Sequence, residues 1–99
     1  MIYITELRPP KKLSGKSSFL IKYSKYVPEL LSLIFSYNKV KPYYYFEKAH
    51  EWEISCVNLK EFMDEAIKYD DITLTLVKDE PTLIKSDMPS WLIYFLNKF

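Results

Sequence analysis

The stretch YYYFEKAHEWEISCVNLKEFMDEAIKYDDITLTL, residues 43–76, decides the fold class. Tyr43-Tyr44-Tyr45-Phe46 is a strand by propensity, because aromatic side chains suit a pleated, half-buried surface. Lys48-Ala49-His50 reads as a turn. Glu51–Cys56 then sets Trp52, Ile54 and Cys56 on one face and Glu51, Glu53 and Ser55 on the other, the alternation of a hairpin buried on one side. The same period leaves two of the four rings of residues 43–46 on each face, and which pair is wet stays open. Asn58, with Glu61 three residues on, forms a capping-box-like helix start. Leu59, Phe62, Met63, Ala66 and Ile67 follow at helical spacing, with Lys60, Glu61, Asp64, Glu65 and Lys68 on the solvent side. Asp70-Asp71 punctuates, and Ile72, Leu74 and Leu76 alternate with Thr73 and Thr75 as another strand.

Upstream, Phe19–Tyr23 alternates as a strand. Pro28 suits the first turn of a helix, where its missing N–H costs nothing. Val27, Leu30, Leu31 and Ile34 carry that helix to about Asn38, and Leu33 and Tyr37 widen its apolar stripe. Lys39–Pro42 breaks it, since a residue before proline disfavours helical backbone. Ile2–Thr5 is a short strand, and the prolines Pro9 and Pro10 with the single glycine, Gly15, mark a basic loop over residues 6–18. Downstream, Lys78–Glu80 and Pro81 end the strand at residues 72–76. Asp87-Met88-Pro89-Ser90 leads into Trp91–Phe99, read as a helix that is apolar nearly all round. The expected fold is α+β: a two-layer sandwich with a βαββαβ-like core, a mainly antiparallel sheet and an extra C-terminal helix. We expect a single domain, 1–99, with the core over 19–77 and the apolar segment over 87–99.

Composition sets bounds on function. A chain of 99 residues, 48% apolar, 27% charged and 17% aromatic, supports one modest core and is neither disordered nor collagen-like. A large enzyme with a separate cofactor domain is excluded. Cys56 alone cannot make an internal disulfide, and without a signal-type N-terminus this points to the cytoplasm. The longest apolar run, Trp91–Leu96, is six residues, far short of the roughly 20 that cross a bilayer, so no membrane partner is expected. Charge divides unevenly. Residues 1–50 carry nine Lys/Arg against three acids, and residues 51–99 carry five lysines against ten acids. One basic and one acidic face follow, unless both sets merely solvate opposite surfaces.

Catalytic chemistry finds little support. Gly15-Lys16-Ser17 resembles the end of a phosphate-binding loop, but that motif needs a glycine where Pro10 stands. His50 and Cys56, flanked by Glu51 and Glu53, are too few for a metal site, with Cys56 expected as a small hydrophobe on the buried strand face. A His50–Cys56 dyad lacks an orienting third group. The carboxylate pairs Glu51/Glu53 and Asp70/Asp71 read as strand-surface and turn residues. No catalytic residue, metal or cofactor is expected, and the protein is read as a non-enzyme. The aromatics at 43–46 are more informative, bracketed as they are by Lys39, Lys41 and Lys48. Exposed rings among lysines suit single-stranded nucleic acid, the rings stacking on bases and the lysines meeting phosphates. A sheet buried on both faces, or an aromatic surface that docks protein, fits the same residues. The tail, with Trp91, Phe95 and Phe99, either closes a core or docks a partner.

From Phe19 to Leu76 the chain resembles the HARP-like (HepA-related) domain that precedes the motor of Swi/Snf-type annealing helicases, in the version found in phages and Gram-positive bacteria. Four blocks carry the resemblance. Leu13-Ser14-Gly15 leads into Phe19–Tyr23, and Tyr26-Val27-Pro28-Glu29-Leu30 opens the helix. Tyr45 stands seven residues before Trp52, and Tyr69–Leu76 closes the unit. The resemblance implies a DNA-contacting domain without its motor, excised or free-standing. Where an arginine is usual between helix and hairpin this chain has Lys39 and Lys41, which keep phosphate attraction but lose bidentate geometry. Trp52 is read as the core anchor of the hairpin. The expectation is a non-enzymatic DNA-binding accessory module that prefers single-stranded or forked DNA and is related to helicase function. Its contacts would be Arg8, Lys11, Lys12, Lys16, Lys22, Lys25, Lys39, Lys41, Lys48 and the ring of Tyr44. The alternative is a small, phage-encoded protein–protein module that recruits or inhibits a helicase or another replication or defence protein through the apolar tail.

Overall fold

The computed structural model describes residues 1–37 and 43–86. Its elements run β1 (Ile2–Leu7), β2 (Ser18–Tyr23), α1 (Pro28–Ser36), β3 (Tyr43–Phe46), β4 (Glu51–Ser55), α2 (Cys56–Ala66), β5 (Ile72–Thr75) and β6 (Thr82–Ile84). The strands make one sheet in the order β3-β4-β2-β1-β5-β6. Every pairing is antiparallel except β1 with β5. The fold is α+β, and β2 through β5 give the expected βαββαβ order, with β1 ahead of it. β6 was not expected. It follows Pro81 directly and is three residues long, too short to show an alternating pattern. The expected C-terminal helix, the segment 87–99 and the Lys39–Pro42 break lie outside the described residues.

Register explains the core. Ile4 faces Ile21, Phe19 faces Ile54, Ile21 faces Trp52, and Ile2 and Leu74 fall on the same side of their ladders. These residues are buried, as are Leu30 and Ile34 of α1 and Leu59, Phe62, Met63 and Ala66 of α2. Both helices therefore cover one face of the sheet, each supplying the apolar stripe that 3.6-residue periodicity predicts. Burying one such aliphatic or aromatic side chain contributes roughly 1.5–3 kcal/mol. α1 begins at Pro28 with Val27 as N-cap, so the missing proline N–H falls where no helical partner exists.

Two expectations fail at the β4–α2 junction. The alternation stops at Ser55, which is the N-cap, and α2 begins at Cys56, two residues before Asn58. Asn58 and Glu61 thus lie inside the helix and form no box at its end. Cys56 is exposed, not buried on the strand face. Its Sγ lies 2.9 Å from Ser17 Oγ and donates to Ser17 O at 3.3 Å. Turning from strand to helix one residue earlier rotates the thiol off the pleat and out to solvent.

Polar ties hold the edges of the core. Glu6, buried on the helix-covered side, accepts from the Val77 N–H at 3.1 Å and from Arg8 at 2.6 Å. The N-terminal ammonium donates to Ser24 Oγ at 2.6 Å and to Asp70. That hydrogen bond is the main cause holding the Asp70 carboxyl below its usual range.

Candidate nucleic-acid interface

The uncovered face of the sheet carries Tyr44 and Phe46 of β3, Glu51 and Glu53 of β4, Leu20 and Lys22 of β2, and Tyr3 of β1. Glu53 should be wet by the alternation of its strand. Instead it is fully buried, because the β1–β2 loop folds back over it. The Lys11 N–H donates to Glu53 Oε2 at 3.0 Å and the Lys12 N–H to Oε1 at 2.9 Å. The Ser18 hydroxyl donates to Oε2 at 2.5 Å. Three donors for one carboxylate satisfy the condition for burying a charge. The reading of Glu53 as a strand-surface carboxylate is therefore corrected: it is the anchor of the basic loop.

That anchor sets the position of two lysines. Tyr44 is the cross-strand partner of Glu53, and Phe46 that of Glu51. A loop tied to Glu53 therefore lies beside both rings, which are 4.9 Å apart. Lys12 Nζ sits 5.4 Å from the Tyr44 centroid and Lys11 Nζ 5.7 Å from that of Phe46, within the range of a cation–π contact. The carboxylate accepts from two backbone amides and the Ser18 hydroxyl, and neither ammonium is ion-paired with it. Tyr44 keeps 42% of its surface exposed. The expected residues Lys11, Lys12 and Tyr44 are thus brought together.

The remaining expected residues are dispersed. Lys22 lies exposed on β2 on the same open face, opposite Tyr3. Lys16 is exposed next to Gly15, whose φ of 109° suits glycine alone. Arg8 is tied to Glu6 and serves the fold. Lys25 follows β2 and Lys48 sits in the β3–β4 turn, both exposed. Among the described residues Lys11, Lys12, Lys16, Lys22, Lys25 and Lys48 form no ion pair, whereas Lys60 and Lys68 of α2 pair with Asp64 and Glu65. Lys39, Lys41, Trp91, Phe95 and Phe99 lie outside the described residues.

On the helix-covered face Trp52 is buried and anchors the hairpin as expected. Phe35 meets it edge-on at 5.5 Å, Tyr43 at 6.0 Å and Tyr45 at 4.3 Å. Beside this cluster, between the hairpin turn and the start of α1, opens a cleft of about 330 Å3 lined by Tyr23, Tyr26, Leu31, Tyr45 and Trp52. Ser24, Lys25 and His50 complete it. His50 and Cys56 stand at opposite ends of β4, roughly 20 Å apart at about 3.3 Å per residue. They make no dyad. No group of three or more His, Cys, Asp or Glu that could hold a metal occurs among the described residues.

Comparison with protein-family models, with curated proteins and with solved structures finds no match. Sequence reasoning did not single out Glu53, Phe46, Tyr26 or His50 as functional. For His50 a signal was present: it occupies a turn position where glycine or asparagine is the ordinary choice. No helix of the described residues is long and apolar enough to cross a membrane.

Proposed function

We propose that the chain is a non-enzymatic binding module for single-stranded DNA, engaging it along the β3 edge. The observation that carries this reading is the Glu53-anchored loop, which holds two lysines that are not ion-paired among the described residues against two neighbouring aromatic rings. Stacking rings beside backbone-tracking cations are what sequence-tolerant single-strand binding requires. Lys22 on the same face and Lys16 on the loop extend the positive surface. Preference for forks, and a helicase as functional partner, rest on the resemblance to HARP-like domains. A cytoplasmic site of action rests on the lone cysteine, Cys56, which has no second cysteine to pair with.

The test is fluorescence anisotropy with labelled single-stranded, duplex and forked DNA. Each phosphate neutralised on a single strand contributes a slope of about −0.7 in log K against log salt. Three or four lysine contacts therefore predict about a 10- to 20-fold loss between 50 and 150 mM salt. The double substitution Lys11→Glu, Lys12→Glu should weaken binding more than tenfold and flatten the slope by about 1.4. Absence of binding at low salt, or binding that does not weaken as salt rises, overturns the proposal.

A further inference from the structure

We infer that the cleft beside the hairpin turn receives one unstacked nucleobase of the bound strand, with a flanking phosphate held by Lys25. This deepens the single-strand reading and rests on it. The cleft's volume of about 330 Å3 lies at the small end of ligand sites, which run from about 300 to 1,000 Å3. Its walls are aromatic: Tyr45 packs at 4.3 Å on Trp52, and Tyr26, two-thirds exposed, stands at the rim. Lys25 and His50 are the ionisable groups beside those rings. A flat ring between aromatic faces with a negative charge at the mouth is the chemistry of a nucleotide unit.

Connectivity to the open face supports the same ligand. Tyr44 and Tyr45 are consecutive on β3, an edge strand, and their rings point to opposite faces. A strand tracking the Lys12–Tyr44 surface therefore needs to round only one β-strand to reach Tyr45 and the cleft. Lys25, which the open face does not use, lines the cleft on this second side.

His50 supplies the third argument. Its backbone has φ of 54°, a left-handed conformation that costs most side chains energy and suits glycine or asparagine. Its Nδ1 lies 3.1 Å from the Tyr45 hydroxyl, so the ring is oriented and Nε2 remains for a ligand. Residues held at positive φ cluster at ligand sites, and here the residue so held lines the cleft with its ring fixed by Tyr45.

The experiment compares anisotropy binding of a 12-nucleotide oligo-dT and of a 12-unit abasic strand, which keeps the phosphates and lacks the bases. Proteins are the parent chain, Tyr26→Ala and His50→Gly. Tyr26 is exposed and glycine relieves the turn, so both variants should melt no lower than the parent. The inference expects each variant to lose about fivefold on oligo-dT and nothing on the abasic strand. Variants that bind oligo-dT as the parent does overturn the cleft assignment alone. Equal loss on both strands overturns base recognition and leaves only a phosphate contact. A parent chain that binds no oligo-dT at low salt overturns the single-strand reading and the cleft with it.

Discussion

Replacing Glu53 by glutamine removes a charge from a fully buried site with three donors. The carboxylate accepts from two backbone amides, one on each oxygen, and from the Ser18 hydroxyl. A carboxamide keeps one acceptor oxygen and turns an N–H group toward the other donor. Hydrogen bonds to a charged group contribute about 1.5–3 kcal/mol each, and a buried donor left unpaired costs about 1–3 kcal/mol. The loop can swing away and return its amides to water, which caps the loss. The expected net cost is about 2–3 kcal/mol, a large share of the 5–15 kcal/mol typical of a domain. At about 4–8 °C per kcal/mol for this size, the melting temperature should fall by roughly 10–20 °C. Urea unfolding gives the free energy, and amide exchange at Lys11 and Lys12 reports whether the loop stays docked. Glu51→Gln, on the same face but with no such donors, should stay within about 0.5 kcal/mol of the parent. If Glu53→Gln did likewise and left both amides protected, the anchoring role would be refuted.

Other expectations follow from groups inside and outside the core. The Tyr23 and Tyr37 hydroxyls are buried with no partner among the described residues. Burial pushes both above the ordinary tyrosine range, helped at Tyr23 by Tyr37 and at Tyr37 by Glu61 and Glu65. The unfolded chain releases these protons near pH 10 and the folded chain holds them, so their stabilising contribution is full below pH 10 and lost as pH rises beyond it. Tyr37→Phe should be neutral or up to about 1 kcal/mol more stable at pH 7, and denaturation curves above pH 10 should flatten. Cys56 should react with a thiol reagent in the folded protein without denaturant; labelling only on unfolding would contradict its exposure at the start of α2.

Local periodicity carried most of the fold. The stripe Leu59–Ile67 and the hairpin 43–55 read directly, because one buried face leaves one period to find. The errors lie where a second layer intervenes. Cys56 continued the alternation of β4 by identity, yet the backbone had already turned into a helix at Ser55, an N-cap that makes no side-chain capping hydrogen bond. Glu53 continued it too, yet its own side chain is buried because a loop about 40 residues earlier folds over it. β6 is three residues against an edge, set by pairing with β5 more than by its own pattern. In the candidate site, Lys11, Lys12 and Tyr44 were legible as charge and aromatic content. Their meeting was not, since it depends on Glu53, whose partners are backbone amides that sequence does not display. The pairing of Arg8 with Glu6 was hidden for the same reason.

The central position of β1 has a consequence for how the chain assembles. β1 lies between β2, reached through one loop, and β5, some 70 residues further along. On a ribosome the first strand to emerge must therefore wait for nearly the whole described chain before its second edge is filled. Without it the sheet separates into two halves, β3-β4-β2 and β5-β6, whose inner edges face one another across a vacant slot. A chain shortened by its first seven residues would thus be a receptor for its own missing strand. Supplied in trans, that peptide would find one antiparallel and one parallel edge, an orientation code that admits a single direction of insertion.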